Sequence, residues 1–263
     1  MIERAHDGAV APSGTRTDPN GRGLLPASMW VSLLLLAAGA AGSTALGFVL
    51  GAPWLLPILG ATAAYPVYAA DLARGRPARA VTLMVIWAVM LSVAVVFATS
   101  AFPSRAERTI WLGTEYAAEM IEWIETGIGP EGDPSLFLPQ HGLHFALFNL
   151  ACLASAGLGG LVMGAALLNY MNFYVAVLIR EASNPILAAA LGWPPWAILR
   201  VMGFILVSVP LSARLLRRFR RGRTQPNISY WKYYLWGAGL VVSDAILKAV
   251  LAPFWRGLLA RAL

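Results

Sequence analysis

The feature that most constrains this chain is a succession of apolar runs, each about as long as a bilayer is thick, separated by short clusters of arginine. The runs fall at residues 30–50, 54–70, 80–102, 196–211 and 231–252, with a longer one at 144–179. A helix needs ~20 apolar residues to cross a hydrocarbon core ~30 Å thick. In lipid the backbone must satisfy its own hydrogen bonds, which continuous apolar runs of this length do as helices. Charged residues make up 13 % of the chain, about half the ~25 % typical of a soluble domain. With a mean hydropathy of +0.64, the chain cannot coat a water-facing globule. A soluble enzyme, a disordered protein and a coiled coil are excluded. The expected fold is all-α, a polytopic helical membrane bundle of six or seven spans.

The net charge of +7 is clustered between apolar runs, where it reports orientation and not a nucleic-acid surface. Arg74, Arg76 and Arg79 form one cluster; Arg214, Arg217, Arg218, Arg220, Arg221 and Arg223 form the other. Both belong on the cytoplasmic side, so an even number of crossings separates them. The runs at 80–102 and 196–211 account for two, which leaves 144–179 to cross twice or not at all. At 36 residues it would be ~54 Å long as one helix, too long for an ordinary span. A helical hairpin is therefore expected, turning near 157–160 at Gly157, Gly159 and Gly160, as two short spans or a re-entrant pair. The resulting topology has seven spans, the N-terminus cytoplasmic and the C-terminus outside. The alternative is five full spans plus the re-entrant hairpin. Eighteen of the twenty cations are arginine, and alanine and glycine are abundant. This composition points to a GC-rich bacterial genome and the bacterial cytoplasmic membrane.

The expected organisation is as follows. Residues 1–27 are a Gly-, Pro- and Ser-rich disordered cytoplasmic tail and not a signal peptide, since no apolar run begins before Pro26. Residues 28–102 hold three spans, 103–142 an acidic outer segment, 143–254 the remaining spans, and 255–263 a short tail. Within the acidic segment, helical periodicity places Glu115, Glu119, Glu122 and Glu125 on one face and Tyr116, Met120, Trp123 and Ile124 on the other. That pattern reads as an interfacial helix with its aromatic face in the headgroups. Trp193-Pro194-Pro195-Trp196 reads as an anchor at the outer interface.

Four constellations could carry chemistry. Asp244 and Lys248, four residues apart inside the last span, share a helical face. Intramembrane charges face the protein interior or a hydrated cavity, so the two form either a relay or substrate contact, or a self-neutralising packing pair. Arg200, one turn into the preceding span, is a candidate third partner. His141 and His144 lie three apart, and with Glu115, Glu119 and Glu122 they could hold a divalent metal beside a general base. Their spacing matches no strong zinc motif. Asn149, Asn169, Tyr170 and Asn172 offer either interhelical hydrogen bonds or a hydrated path. The arginines of 214–223 are topogenic charge that also suits anionic lipid. No P-loop, nucleophile elbow or Asp-rich prenyl-diphosphate motif is present. The single cysteine, Cys152, allows no intramolecular disulfide.

Leu138-Pro139-Gln140-His141-Gly142, followed by a Gly- and Ala-rich helix ending Gly164-Ala165-Ala166-Leu167-Leu168, resembles stage II sporulation protein M and its broad membrane family. The likeness covers about 30 residues of the 263. It implies a membrane scaffold or assembly factor, with His141-Gly142 as its marker. Together these readings favour a non-enzymatic permease-like subunit or assembly scaffold, partnered by the lipid bilayer and by other membrane proteins or further copies of itself. A membrane-embedded metal-dependent hydrolase with an outer Glu/His site is the alternative.

Overall fold

The computed structural model describes residues 28–219 and 229–263. The tail expected at 1–27, and the part of the arginine cluster at 220–223, lie outside the described residues. The described residues form ten helices and no strand: α1 Met29–Leu50, α2 Leu55–Ala73, α3 Pro77–Ala101, α4 Pro103–Thr109, α5 Gly113–Thr126, α6 Pro134–Ser155, α7 Leu158–Glu181, α8 Pro185–Leu191, α9 Pro195–Phe219 and α10 Trp231–Leu259. Seven of these, all except α4, α5 and α8, are long and apolar enough to cross a membrane.

Helix boundaries follow local chemistry. Proline opens α3, α4, α6 and α8, where its missing N–H costs nothing and its fixed φ suits the first turn. Asp133 caps α6 by accepting from Ser135 N at 2.8 Å, and Asn184 caps α8 by accepting from Leu187 N at 3.1 Å. Helices α6 and α7 pack against each other across a tight turn. That turn is made by Ala156 at φ 55° and Gly157 at φ 97°, while Gly159 and Gly160 belong to α7. Two successive left-handed residues reverse the chain with no linking loop.

The first of these two helices starts earlier than its apolar run. Helix α6 begins at Pro134 and not near residue 144, so the expected boundary at 142/143 falls inside a span. Pro139, Gln140, His141 and Gly142 break the hydropathy without breaking the helix. Likewise α10 continues to Leu259 through most of the expected tail.

Helix α7 is the axis of the bundle, packed by α2, α3, α5, α6 and α8. Helices α9 and α10 form the tightest pair. A Cβ built on Gly203 would lie 2.8 Å from the Gly237 carbonyl oxygen, and one on Gly237 would lie 2.7 Å from that of Gly203. The two backbones touch there because neither residue has a side chain.

The two ends of the bundle differ in character. One end carries α4, α5, α8 and the end of α10, joined by Asn184 N donating to Ala262 O at 3.0 Å. The other end carries the 74–76 connection, the Ala156–Gly157 turn and the Arg214 end of α9. It is tied together by Tyr68 Oη, 2.8 Å from Ser208 Oγ and 3.0 Å from Ser212 Oγ.

Helix α5 has the two faces expected of it. Glu115, Glu119, Glu122 and Glu125 are exposed, and Met120, Trp123 and Ile124 are buried. Its apolar face lies on α7, however, and not in headgroups. Tyr116 meets the rings of Tyr170 at 4.8 Å and Tyr174 at 6.0 Å. Arg256 of α10 holds the C-terminal end of α5, donating to the carbonyls of Trp123, Ile124 and Glu125 at 2.8–3.0 Å. A cation there meets the negative end of the helix dipole and satisfies its last carbonyls.

Candidate functional site

Asp244 and Lys248 share a face of α10 and are both buried, but they do not neutralise each other. Asp244 is held by Arg200 of α9 through two bonds, Nε to Oδ2 at 2.8 Å and Nη2 to Oδ1 at 2.9 Å. This bidentate fork is the strongest form of such a pair. Lys248 Nζ instead donates to Glu131 Oε2 at 2.7 Å and stands 4.5 Å from the centre of the Phe137 ring. Glu131 lies in the connection between α5 and α6. Its second oxygen accepts from Trp196 Nε1 at 2.9 Å. Trp196 is thus a buried partner of the cluster and not the interface anchor expected of it.

The cluster holds two cations and two carboxylates, so it is neutral as a unit. His141 of α6 is buried against it, with Nδ1 3.7 Å from Asp244 Oδ2, beyond hydrogen-bond reach. His141 Nδ1 has no hydrogen-bond partner. Tyr116 completes the surroundings. Its burial, and after that the nearby Glu131 charge, pushes its phenol well above the ordinary range, so it stays a neutral donor.

A cavity of about 250 Å³ adjoins the cluster, walled by α3, α5, α6, α7 and α9, with Lys248 contributed by α10. Its lining changes with depth. Going into the bundle from the α5 end, α6 contributes His141, His144 and then Phe148, while α9 contributes Arg200 and then Phe204 and Ile205. Helix α7 runs the opposite way and contributes Tyr174 and Tyr170, then Leu167 and Leu161. On α6 and α7 the lining turns from polar to apolar in that direction, and on α9 it runs from Arg200 through Phe204 and Ile205 to Ser208. The cavity therefore has a polar head near α5 and a mostly apolar depth, with Ser208 at its end.

The other candidates divide. His141 and His144 both line the cavity, as do Glu115 and Glu119, whereas Glu122 faces a separate surface groove with Glu125. Among the described residues no three His, Cys, Asp or Glu side chains come together so as to hold a metal ion. Tyr170 lines the cavity; the three asparagines do not. Asn149 accepts from Tyr234 Oη at 3.2 Å. Asn172 donates to Ser92 Oγ at 2.9 Å and accepts from Trp193 Nε1 at 2.9 Å, so both bond between helices. Asn169 Oδ1 is buried with no hydrogen-bond partner. No family model, curated protein or solved structure matches this chain.

Glu131 is the member of this cluster that sequence reasoning missed. A partial signal existed: Arg200 and Lys248 against Asp244 leave one intramembrane cation without a counter-charge, and buried charges require one. Nothing in the sequence distinguishes Glu131 from the other acids of 103–142.

Proposed function

We propose that this protein is a non-enzymatic component of a membrane, a permease-like subunit that holds a small molecule in the cavity beside the Arg200–Asp244 and Lys248–Glu131 pairs. One observation carries this reading. Arg200, Lys248 and Glu131 line a cavity and are not sealed inside helix packing. Charges are costly within a bilayer and are kept where they face water, a partner or a substrate. A largely apolar pocket with a few convergent polar groups is the usual form of a small-molecule site. The resemblance around Pro139-Gln140-His141-Gly142 supports the related scaffold reading, in which the same chain assembles other membrane proteins.

The bacterial cytoplasmic membrane, the cytoplasmic N-terminus and contact of the 214–223 arginines with anionic lipid belong to this proposal on the strength of the positive-inside pattern. Reporter fusions at Ala182 and at the C-terminus should both read as external.

The test of the cavity uses Gly164, which lines it and whose added Cβ would meet nothing within 4 Å. Small molecules released on denaturing the protein purified from its own membranes should include one species close to one per chain. Gly164→Leu should reduce that species several-fold without loss of folding. Vesicles carrying the wild-type protein should pass it faster than empty vesicles. Equal recovery from wild type and Gly164→Leu would overturn the cavity reading, and recovery without flux would overturn the permease.

The hydrolase reading draws on Glu115, Glu119, His141 and His144 sharing one lining. It is the weaker reading, because these groups do not gather into a ligand set.

A further inference from the structure

We propose that the cavity takes a monocarboxylate bearing a single apolar chain, and that the Glu131 carboxylate occupies the place of its head. This rests on the cavity reading above and gives it a ligand class. The two Glu131 oxygens are each held by one donor from a span, Lys248 Nζ at 2.7 Å and Trp196 Nε1 at 2.9 Å. Helices α9 and α10 thus build a carboxylate site that a connecting segment fills. Arg200, Asp244 and Lys248 are fixed on helices, whereas Glu131 is the one charge of the cluster carried on a connection, between Gly129 and Gly132. It can leave without any helix breaking.

Charge selects the class of ligand. The cluster is neutral with two cations and two carboxylates, so a singly charged anion replacing Glu131 preserves the balance. A dianion or a cation leaves an uncompensated buried charge, which is costly. The depth of the cavity selects the rest. From Arg200 to Ser208 the lining follows one helix for eight residues, a descent of ~12 Å. It passes Phe204 and Ile205 with Phe148, Leu161 and Leu167 across from them.

Two residues of the lining also carry unpartnered donors. Tyr174 and Trp87 line the cavity, and their Oη and Nε1 atoms are buried beside it with no hydrogen-bond partner, a costly condition for a donor. Tyr174 stands toward the α5 end of the lining, on the same side as Arg200 and Glu131.

The test is native mass spectrometry of the full chain released from detergent, with decanoate, decanol or decyl phosphate added at equal concentration. Decanoate should bind one per chain, at occupancy at least tenfold above the other two. Glu131→Gln removes the competing carboxylate and should raise decanoate occupancy at least threefold. Trp196→Phe removes one donor without stranding a charge. It should lower decanoate occupancy several-fold and leave decanol unchanged, and it serves if Glu131→Gln does not fold. Decanol or decyl phosphate binding as well as decanoate would overturn the proposal, as would decanoate occupancy that does not rise in Glu131→Gln. If all three compounds bind and all are lost in Gly164→Leu, the head-group inference fails while the cavity reading stands. If none binds and Gly164→Leu leaves recovery of the native species unchanged, both fail.

Discussion

Lys248 Nζ lies 2.7 Å from Glu131 Oε2, a carboxylate 117 residues away in the sequence. The lysine comes from the middle of the last span and the glutamate from a connection outside the spans. The acidic segment between α3 and α6 therefore reaches into the bundle through Glu131. Besides the packing of α5 on α7, it is fastened by Glu131 to α9 and α10, and by Arg256 of α10 at the end of α5.

Removing one member of this pair strands the other. Lys248→Met should destabilise the protein by about 3 kcal/mol, the cost of an uncompensated buried charge. The double variant Lys248→Met/Glu131→Gln should recover most of that loss. Thermal unfolding in detergent of the four proteins of this cycle measures the coupling. Additive single losses would mean that the pair is not formed in the membrane.

Arg200→Lys tests the fork on Asp244. An ammonium cannot make the two parallel bonds that the guanidinium makes to Oδ1 and Oδ2, so the charge survives while the geometry is lost. A loss of about 1–2 kcal/mol is expected, smaller than that of Arg200→Gln, which leaves Asp244 without its counter-charge. The same melting series reads both, and equal losses would assign the whole effect to charge.

Most of the fold was legible because lipid leaves little choice. Apolar length marks the spans, and the positive-inside pattern suggested a hairpin within 144–179, near Gly157, Gly159 and Gly160. What was not legible depends on which face of a helix meets protein. Periodicity separates the glutamates of α5 from Trp123 and Ile124, but it cannot tell α7 from a headgroup layer. Gln140 and His141 lower the hydropathy of α6 and hid its first turns, because sequence does not show that they line a cavity. Asp244, Lys248 and Arg200 were legible as costly charges in apolar runs. Their true pairing was not, because it depends on how α9 meets α10 and on where one loop folds.

Arg256 should matter locally. It closes the carbonyl end of α5 with three bonds, and a cation at a helix terminus contributes up to ~2 kcal/mol in a partly buried setting. Arg256→Ala should therefore raise amide exchange across 113–133 more than across α1–α3. Uniform acceleration would mean that the contact supports the whole bundle instead.

Helix propensity and packing make opposite predictions at two glycines of the last helical pair. Alanine is favoured over glycine by ~1 kcal/mol in a helix interior. At Gly239 an added Cβ meets nothing within 4 Å, so Gly239→Ala should be neutral or stabilising. At Gly203 the Cβ meets the Gly237 carbonyl at 2.8 Å, so Gly203→Ala must push α9 and α10 apart, at a cost of about 1–3 kcal/mol. The thermal midpoint should fall for Gly203→Ala and hold or rise for Gly239→Ala. If both rise, the backbones are not in contact.

Metal content separates the two functional readings without any substrate. His141 and His144 line the cavity with Glu115 and Glu119, yet no three such groups converge, and a catalytic zinc site needs three protein ligands and an open position. Elemental analysis of the purified protein should therefore find transition metal far below one per chain, unchanged in His141→Ala/His144→Ala. A near-stoichiometric metal lost in that variant would mean that α5 moves onto α6 to complete a ligand set. The cavity would then be the active site of a hydrolase, and the Glu131 carboxylate, close to Tyr116 and Lys248, would be the first candidate for its general base.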